Sequence, residues 1–265
     1  MSASAADKEL ANLLSRAEEL FARAERGELT YTAFLTPQQI RRVQLHFSGA
    51  SDKLIASGGY AEAERGRVYF LPPYIAEMEA PCRAELLREL QAESLVAVLV
   101  RGSGYVKIAH RDYLGAVLGL GIERDAIGDV CVMNDREAVL FCDSLMAAFL
   151  AENLQRVGND AVQVQQILLP ADFDGGKRFV SLTDTVASPR ADAVVAALCN
   201  LSRERAQRLF LQELVEVDYE PCQKYDKELT AGTTLTVRGH GKFIIRSISD
   251  KTKKGRLRLV ADRYQ

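Results

Sequence analysis

Apolar residues recur at three- and four-residue spacing over residues 8–26, where Leu10, Leu13, Leu14, Ala17, Phe21 and Ala24 share one side and Gly27 follows. That period predicts an amphipathic helix closed by a glycine. Thr36-Pro37 predicts a second, shorter helix, because Thr caps well and Pro suits a first helical turn. Gly58-Gly59-Tyr60 marks a turn, and residues 67–71 read as a short strand stopped by Pro72-Pro73. Residues 72–81 make a first boundary, closing an N-terminal mixed module over 1–80.

The next segment alternates more clearly. Residues 94–100 form a continuous apolar run of strand length, and 111–120 have helical spacing. Residues 129–133 and 137–142 are β-rich runs around Asn134-Asp135, which predicts a hairpin turn. Leu145, Met146, Phe149, Leu150 and Leu154 share a helix face, capped by Asp143 or Ser144 and stopped by Gly158. Residues 161–169 alternate as a strand. Strand, helix, strand, strand, helix, strand is the ferredoxin-like order, shared with RNA-recognition modules, so 81–170 reads as a ferredoxin-like domain. Its strands offer Phe141 and little else aromatic, which argues against a base-stacking platform.

Residues 171–187, with Asp172, Asp174, Gly175 and Gly176, read as a linker whose middle, 178–182, could form a short strand. Beyond it, 190–199 is helical, and Ser202 caps a second helix bearing Arg203, Arg205 and Arg208. Residues 215–217, 234–237, 242–248 and 257–260 predict a small sheet. The fold class is therefore α+β.

Composition excludes some classes. With 48% hydrophobic and 26% charged residues the 265-residue chain is not mainly disordered. It has no apolar run of membrane-spanning length, and its first ten residues do not read as a secretory signal. Cysteines at 82, 131, 142, 199 and 222 form no Cys-x-x-Cys pair. They read as small buried hydrophobes of a reducing cytoplasm. Histidines 46, 110 and 240 share no metal-ligand spacing, and there is no nucleophile elbow or phosphate loop. Gly119 and Gly121 lack the third glycine of a dinucleotide fingerprint. Only His110-Arg111-Asp112 looks catalytic, and residues two apart on a helix do not face each other. The expectation is no catalytic residue, no metal and no cofactor. The trio would make a secondary polar contact, or cap and brace its helix.

Charge points to a polyanion. Residues 1–184 carry 19 Lys/Arg against 26 Asp/Glu, and residues 185–265 carry 15 against 10. Residues 236–265 alone hold 9 basic and 2 acidic residues. Such concentration usually serves a polyanion. Arg190 before one helix, and Arg203, Arg205 and Arg208 after the Ser202 cap, would suit phosphate oxygens beside helix N–H groups.

Several stretches resemble known families. Ser188-Pro189-Arg190-Ala191-Asp192-Ala193, Asn200-Leu201-Ser202-Arg203-Glu204-Arg205, Leu214-Val215-Glu216-Val217 and Val237-Arg238-Gly239-His240-Gly241-Lys242-Phe243 resemble an S4-type RNA-binding domain. The block from His110-Arg111-Asp112-Tyr113 through Ile122-Glu123-Arg124 to Gly128-Asp129-Val130 resembles the bacterial YlmH family. Gly58-Gly59-Tyr60 with Ala63-Glu64-Arg65 does so too. The chain departs from the S4-type pattern at Glu213, Asp218 and Gly232-Thr233, where Gly, Asn and Gly-Asp are usual. The resemblance implies a non-enzymatic, cytoplasmic RNA-binding protein. Residues 188–265 would dock ribosomal RNA and tRNA on the large subunit, with a place in ribosome-associated quality control and a link to cell division. RNA contacts are expected from Arg190, Ser202, Arg203, Arg205, Arg208, Arg238, His240, Lys242, Lys251, Lys253, Lys254 and Arg256. Two alternatives stay open: an RNA-modifying enzyme that docks through this domain, and a cell-division scaffold.

Overall fold

A computed structural model describes residues 5–170, 172–251 and 255–264. The chain divides into two compact units, 1–176 and 177–265. Unit 1 opens with helix α1 (Ala5–Ala24), strand β1 (Thr30–Tyr31) and helix α2 (Pro37–His46). A reciprocal capping box starts α2. Thr36 Oγ1 accepts from the Gln39 amide, and Gln39 Oε1 accepts from the Thr36 amide. Strands β2 (Leu54–Ser57) and β3 (Arg67–Phe70) complete an antiparallel sheet of order β1-β3-β2. α1 and α2 bury Ala17, Ala24 and Val43 against Val68 and Phe70.

Helices α3 (Pro73–Ala76) and α4 (Ala80–Gln91) follow. The expected boundary at 80/81 thus falls in the first turn of a helix, where Pro81 starts α4 instead of ending a module. The central sheet holds β4 (Val96–Gly102), β5 (Val130–Asn134), β6 (Glu137–Cys142), β7 (Arg156–Val157) and β8 (Asp160–Ile167). Helix α5 (His110–Gly119) links β4 to β5, and α6 (Ser144–Asn153) links β6 to β7. The order is β5-β6-β4-β8-β7, all antiparallel. The β5–β6 hairpin turns at Asp135-Arg136, one residue later than expected, because the register shifts between Val132 and Asn134.

Period-two alternation gives this sheet two apolar faces. One carries Val98, Val100, Leu140 and Cys142 against Tyr113 and Val117 of α5 and Leu150 of α6. The other carries Ala97, Cys131, Val139 and Phe141, and is covered by Phe34, Tyr60 and Phe173. Tyr60 stacks on Phe141 with ring centroids 5.2 Å apart. The Gly58-Gly59-Tyr60 motif is explained here. Gly59 sits at φ +95°, and a Cβ there would lie 2.5 Å from the Phe141 ring. Asp129 fixes the same loop by accepting from the Tyr60 hydroxyl at 2.7 Å and from the Glu64 and Arg65 amides. Arg67 of β3 stacks over Phe34 at 4.4 Å and donates to Asp143, the cap of α6.

Unit 2 holds β9 (Phe179–Val186), α7 (Ala191–Leu198), α8 (Arg203–Leu211), β10 (Val215–Val217), β11 (Glu220–Pro221), β12 (Thr234–Val237), β13 (Gly241–Lys251) and β14 (Leu257–Tyr264). They form one antiparallel sheet of order β11-β10-β12-β13-β14-β9. Its inner face packs Leu235, Phe243, Ile245 and Leu259 against Val194, Ala206 and Phe210 of the helices. Half of the expected linker 171–187 is therefore strand. β9 pairs with β14 along its whole length, from Phe179 opposite Tyr264 to Val186 opposite Leu257. Those partners lie between 71 and 85 residues away, so local sequence announces at most the short strand expected at 178–182.

Both helices of unit 2 end in a left-handed residue. Asn200 (φ +53°) follows α7, and Glu213 (φ +57°) follows α8. At the α8 end the Leu214 amide bonds the Leu209 carbonyl, and the Glu213 amide bonds that of Phe210. This is a Schellman end, which favours glycine. The β10–β11 hairpin turns on Asp218 (φ +51°) and Tyr219 (φ +66°), a geometry that favours Asn-Gly. So Glu213 and Asp218, which depart from the S4-type pattern, stand where backbone conformation asks for Gly and Asn. Glu213→Gly is expected to stabilise unit 2 by about 0.5–1 kcal/mol, the left-handed strain relieved less the added unfolded-chain entropy. Urea unfolding measures it, and a lower midpoint would contradict it.

Candidate nucleic-acid interface

The helix pair of unit 2 is organised by one buried acid. Asp192, the second residue of α7, has no exposed surface. Its carboxylate accepts from Arg190 (Nε 3.2 Å, Nη2 3.3 Å), Arg203 (Nη2, 3.0 and 3.1 Å) and Gln207 (Nε2, 2.7 Å). Burial works to raise this carboxyl. The hydrogen bonds from Arg190, Gln207 and Arg203 outweigh it and hold Asp192 below the ordinary aspartate value.

Arg190 and Arg203, expected as RNA contacts, thus each have an internal partner. Both are tethered to Asp192, with side chains still 36% and 52% exposed. The N-terminus of α7 offers no amide either, because the Ala191 and Asp192 amides bond the Lys227 and Tyr225 carbonyls. Two guanidiniums on one carboxylate leave a net positive charge with fixed direction. A lone acid in the otherwise apolar run 191–198 was the signal for this hub, since a buried carboxylate requires partners.

Two clefts adjoin the hub. One, of about 390 Å3, is lined by Arg203, Arg256, Thr185, Asn200 and the small residues Ala193 and Ala197. Arg256 donates from Nε to Thr185 Oγ1 at 3.0 Å. The second, of about 360 Å3, is lined by Leu201, Arg205, Arg208, Leu209, Gln212 and His240. Leu201 lines both, so the two clefts are neighbours, and Asp184 adds one acid to the first. α8 positions Arg205 and Arg208 three residues apart on one face. Its start is fixed by Ser202, whose Oγ accepts from the Arg205 amide. Neither Arg205 nor Arg208 forms an ion pair among the described residues. His240 comes from the loop Arg238-Gly239-His240, which the Arg238 amide ties to the Leu214 carbonyl.

Other expected contacts lie apart. Lys242 alternates with the inward Phe243 and sits 4.8 Å from both the Tyr219 and Tyr264 rings, on the outer sheet face. Lys253 and Lys254 lie outside the described residues, as does the Lys251 side chain. His110, Arg111 and Asp112 belong to unit 1. There the Ala109 amide donates to Asp112 Oδ2 at 2.9 Å, so Asp112 braces the start of α5. His110 is exposed and Arg111 is 91% exposed.

Burial pushes the Cys142 thiol up to about 12 and that of Cys199 up to about 11, so both stay protonated near neutral pH. Among the described residues, no three His, Cys, Asp or Glu side chains are placed to hold a metal. Nor is any helix there long and apolar enough to cross a membrane.

Residues 7–75 match the family model "YlmH, N-terminal", and residues 95–170 match "Putative RNA-binding domain in YlmH". Over 242 residues the chain is 30% identical to a Bacillus subtilis (strain 168) protein named "Ribosome-associated protein quality control protein P2". That match covers 91% of this chain and 90% of the relative. The chain belongs to the YlmH family. A solved YlmH structure, "Cell division protein ylmH from Streptococcus pneumoniae", is 18% identical. It covers 63% of this chain and 94% of its own, with a TM-score of 0.47. In this YlmH-family chain the segment that matches the putative RNA-binding domain is the central sheet with α5 and α6, one face of which is covered by Phe34, Tyr60 and Phe173.

Proposed function

We propose that this protein binds ribosomal RNA or tRNA on the large ribosomal subunit, acts by docking without turnover, and serves ribosome-associated quality control. The observation that carries the proposal is the pair of neighbouring clefts in unit 2, one lined by Arg205, Arg208 and His240 and the other by Arg203 and Arg256. The Arg205 and Arg208 guanidiniums, which form no ion pair among the described residues, are suited to phosphate oxygens and cost no internal pair when they bind. The name of the Bacillus subtilis relative supports the ribosomal setting, which would hold the protein in the cytoplasm. Two helices packed on an antiparallel sheet, with both Schellman ends, support an S4-type reading of unit 2. The order β5-β6-β4-β8 supports a ferredoxin-like reading of the central sheet.

Ultraviolet crosslinking of the full chain to large subunits tests the proposal. RNA adducts are expected on peptides of α8 and the 238–240 loop. Adducts confined to unit 1 would refute the assignment of the surface. New modified nucleosides in treated RNA would refute docking without turnover.

A further inference from the structure

We propose that a cleft of about 510 Å3 within unit 1 binds a phosphate-bearing anion, supplied by a mononucleotide or by an RNA chain. One wall is α1, through Leu13, Ala17 and Leu20, and the other is the 32–36 loop with Arg65 and Arg124. Both arginines lie in the YlmH-like motifs, and both are half-buried.

Among the described residues their guanidinium hydrogen bonds go to carbonyls, while the Arg65 backbone amide donates to Asp129 Oδ1 at 3.0 Å. Arg65 donates to the carbonyls of Phe34 (2.8 Å), Arg124 (3.2 Å) and Ile127 (3.3 Å). Arg124 Nη1 donates to those of Ile127 (2.6 Å) and Gly128 (3.0 Å). Carbonyls satisfy N–H groups without neutralising the charge, which is offset only in part, by Asp129 for both arginines and by Asp125 for Arg65. Neither arginine meets a carboxylate within ion-pair distance among the described residues. Arg124 is held down at about 10, first by burial and then by repulsion from Arg65. An anion between the two would relieve both effects.

Arg16 of α1 adds a third, exposed cation at the mouth, while Glu9 and Asp125 add exposed carboxylates. Among the residues lining the cleft the half-buried Arg65 and Arg124 are the deeper charges and the acids lie at the rim, while the half-buried Asp129 stands outside the lining, so the lining favours an anion. Guanidinium forks match phosphate oxygens, and the volume falls in the range of small-ligand sites. The apolar α1 wall suits the sugar or base attached to that phosphate. This inference does not depend on the C-terminal surface.

The test is calorimetric titration of the full chain at constant ionic strength. The probes are adenosine 5′-monophosphate and an RNA trimer with and without a 5′-phosphate. Wild type should bind a phosphorylated probe saturably, and Arg16→Glu and Ala33→Glu should each weaken it about tenfold or more. Both positions are exposed, outside the arginine–carbonyl network, and unchanged thermal melting would show that the fold is kept. Equal binding of nucleotide and phosphorylated trimer points to a nucleotide. Tighter trimer binding that is lost without its phosphate points to RNA. A protein with both Arg205→Ala and Arg208→Ala should bind as wild type, which separates this cleft from the C-terminal surface. The proposal is overturned by any of three results. These are no saturation up to roughly 10 mM, full binding in both glutamate variants, or loss of binding in the double alanine variant.

Discussion

Replacing Arg205 and Arg208 together by alanine is expected to weaken ribosomal RNA binding by about tenfold to a hundredfold near 0.1 M salt. Each arginine lies in the cleft beside His240 and forms no ion pair among the described residues, so its charge is available to phosphate. Phosphate contacts release counterions, and the slope of log affinity against log salt should drop by about two units. The loss should be similar across RNA sequences of one shape, because phosphate carries no base information. Arg203→Ala should alter affinity less, since that guanidinium already shares Asp192 with Arg190. Lys242→Ala, on the outer sheet face, should leave the slope of this surface unchanged. Salt titrations by fluorescence anisotropy measure all three. An unchanged slope in a folded double variant would place the RNA surface elsewhere.

The largest stability effect is expected at Asp192. Asp192→Ala removes an acceptor that serves Arg190, Arg203 and Gln207, and leaves two guanidiniums close together without a counter-charge. Breaking a fully buried charge pair costs about 3–5 kcal/mol, and the partial exposure of both arginines reduces this to about 2–3 kcal/mol. The pH dependence follows from the direction of the shift. The folded carboxyl lies below the ordinary value of 3.8, so its contribution is present in full above that value. It is lost as pH falls through the lower folded value. The gap between wild type and Asp192→Ala in urea melts should therefore be constant from pH 5 to 8 and narrow below about 4. A gap that widened in acid would contradict the assignment. RNA affinity should fall in the same variant, because Arg203 loses its direction.

Features decided by a few neighbouring residues were legible in the sequence. Thr36-Pro37, Asp143 and Ser202 start helices because each cap bonds an amide within three residues of itself. The strands of the central sheet followed from runs of apolar residues. What stayed hidden depends on distant partners. The full length of β9 is recognisable only beside β14, and the two-residue β1 only beside β3. At the candidate surface the arginines stood out by type and spacing. Their division into tethered ones, at 190 and 203, and unpaired ones, at 205 and 208, depends on which side chains reach Asp192. The resemblance marked Glu213 and Asp218 only as departures from the S4-type pattern. Their backbone angles show a further meaning, as side chains occupying left-handed positions.

The covered face of the central sheet bears on how such a protein can be inherited. Two family segments, 7–75 and 95–170, look separable along the chain. Yet Phe34 and Tyr60 from the first lie over Cys131, Val139 and Phe141 from the second. A gene fusion or deletion that parted them would expose several aromatic and aliphatic side chains, at about 1.5–3 kcal/mol apiece. The two should therefore travel through evolution as a single heritable block, with substitutions at Gly59 and Phe141 constrained by each other.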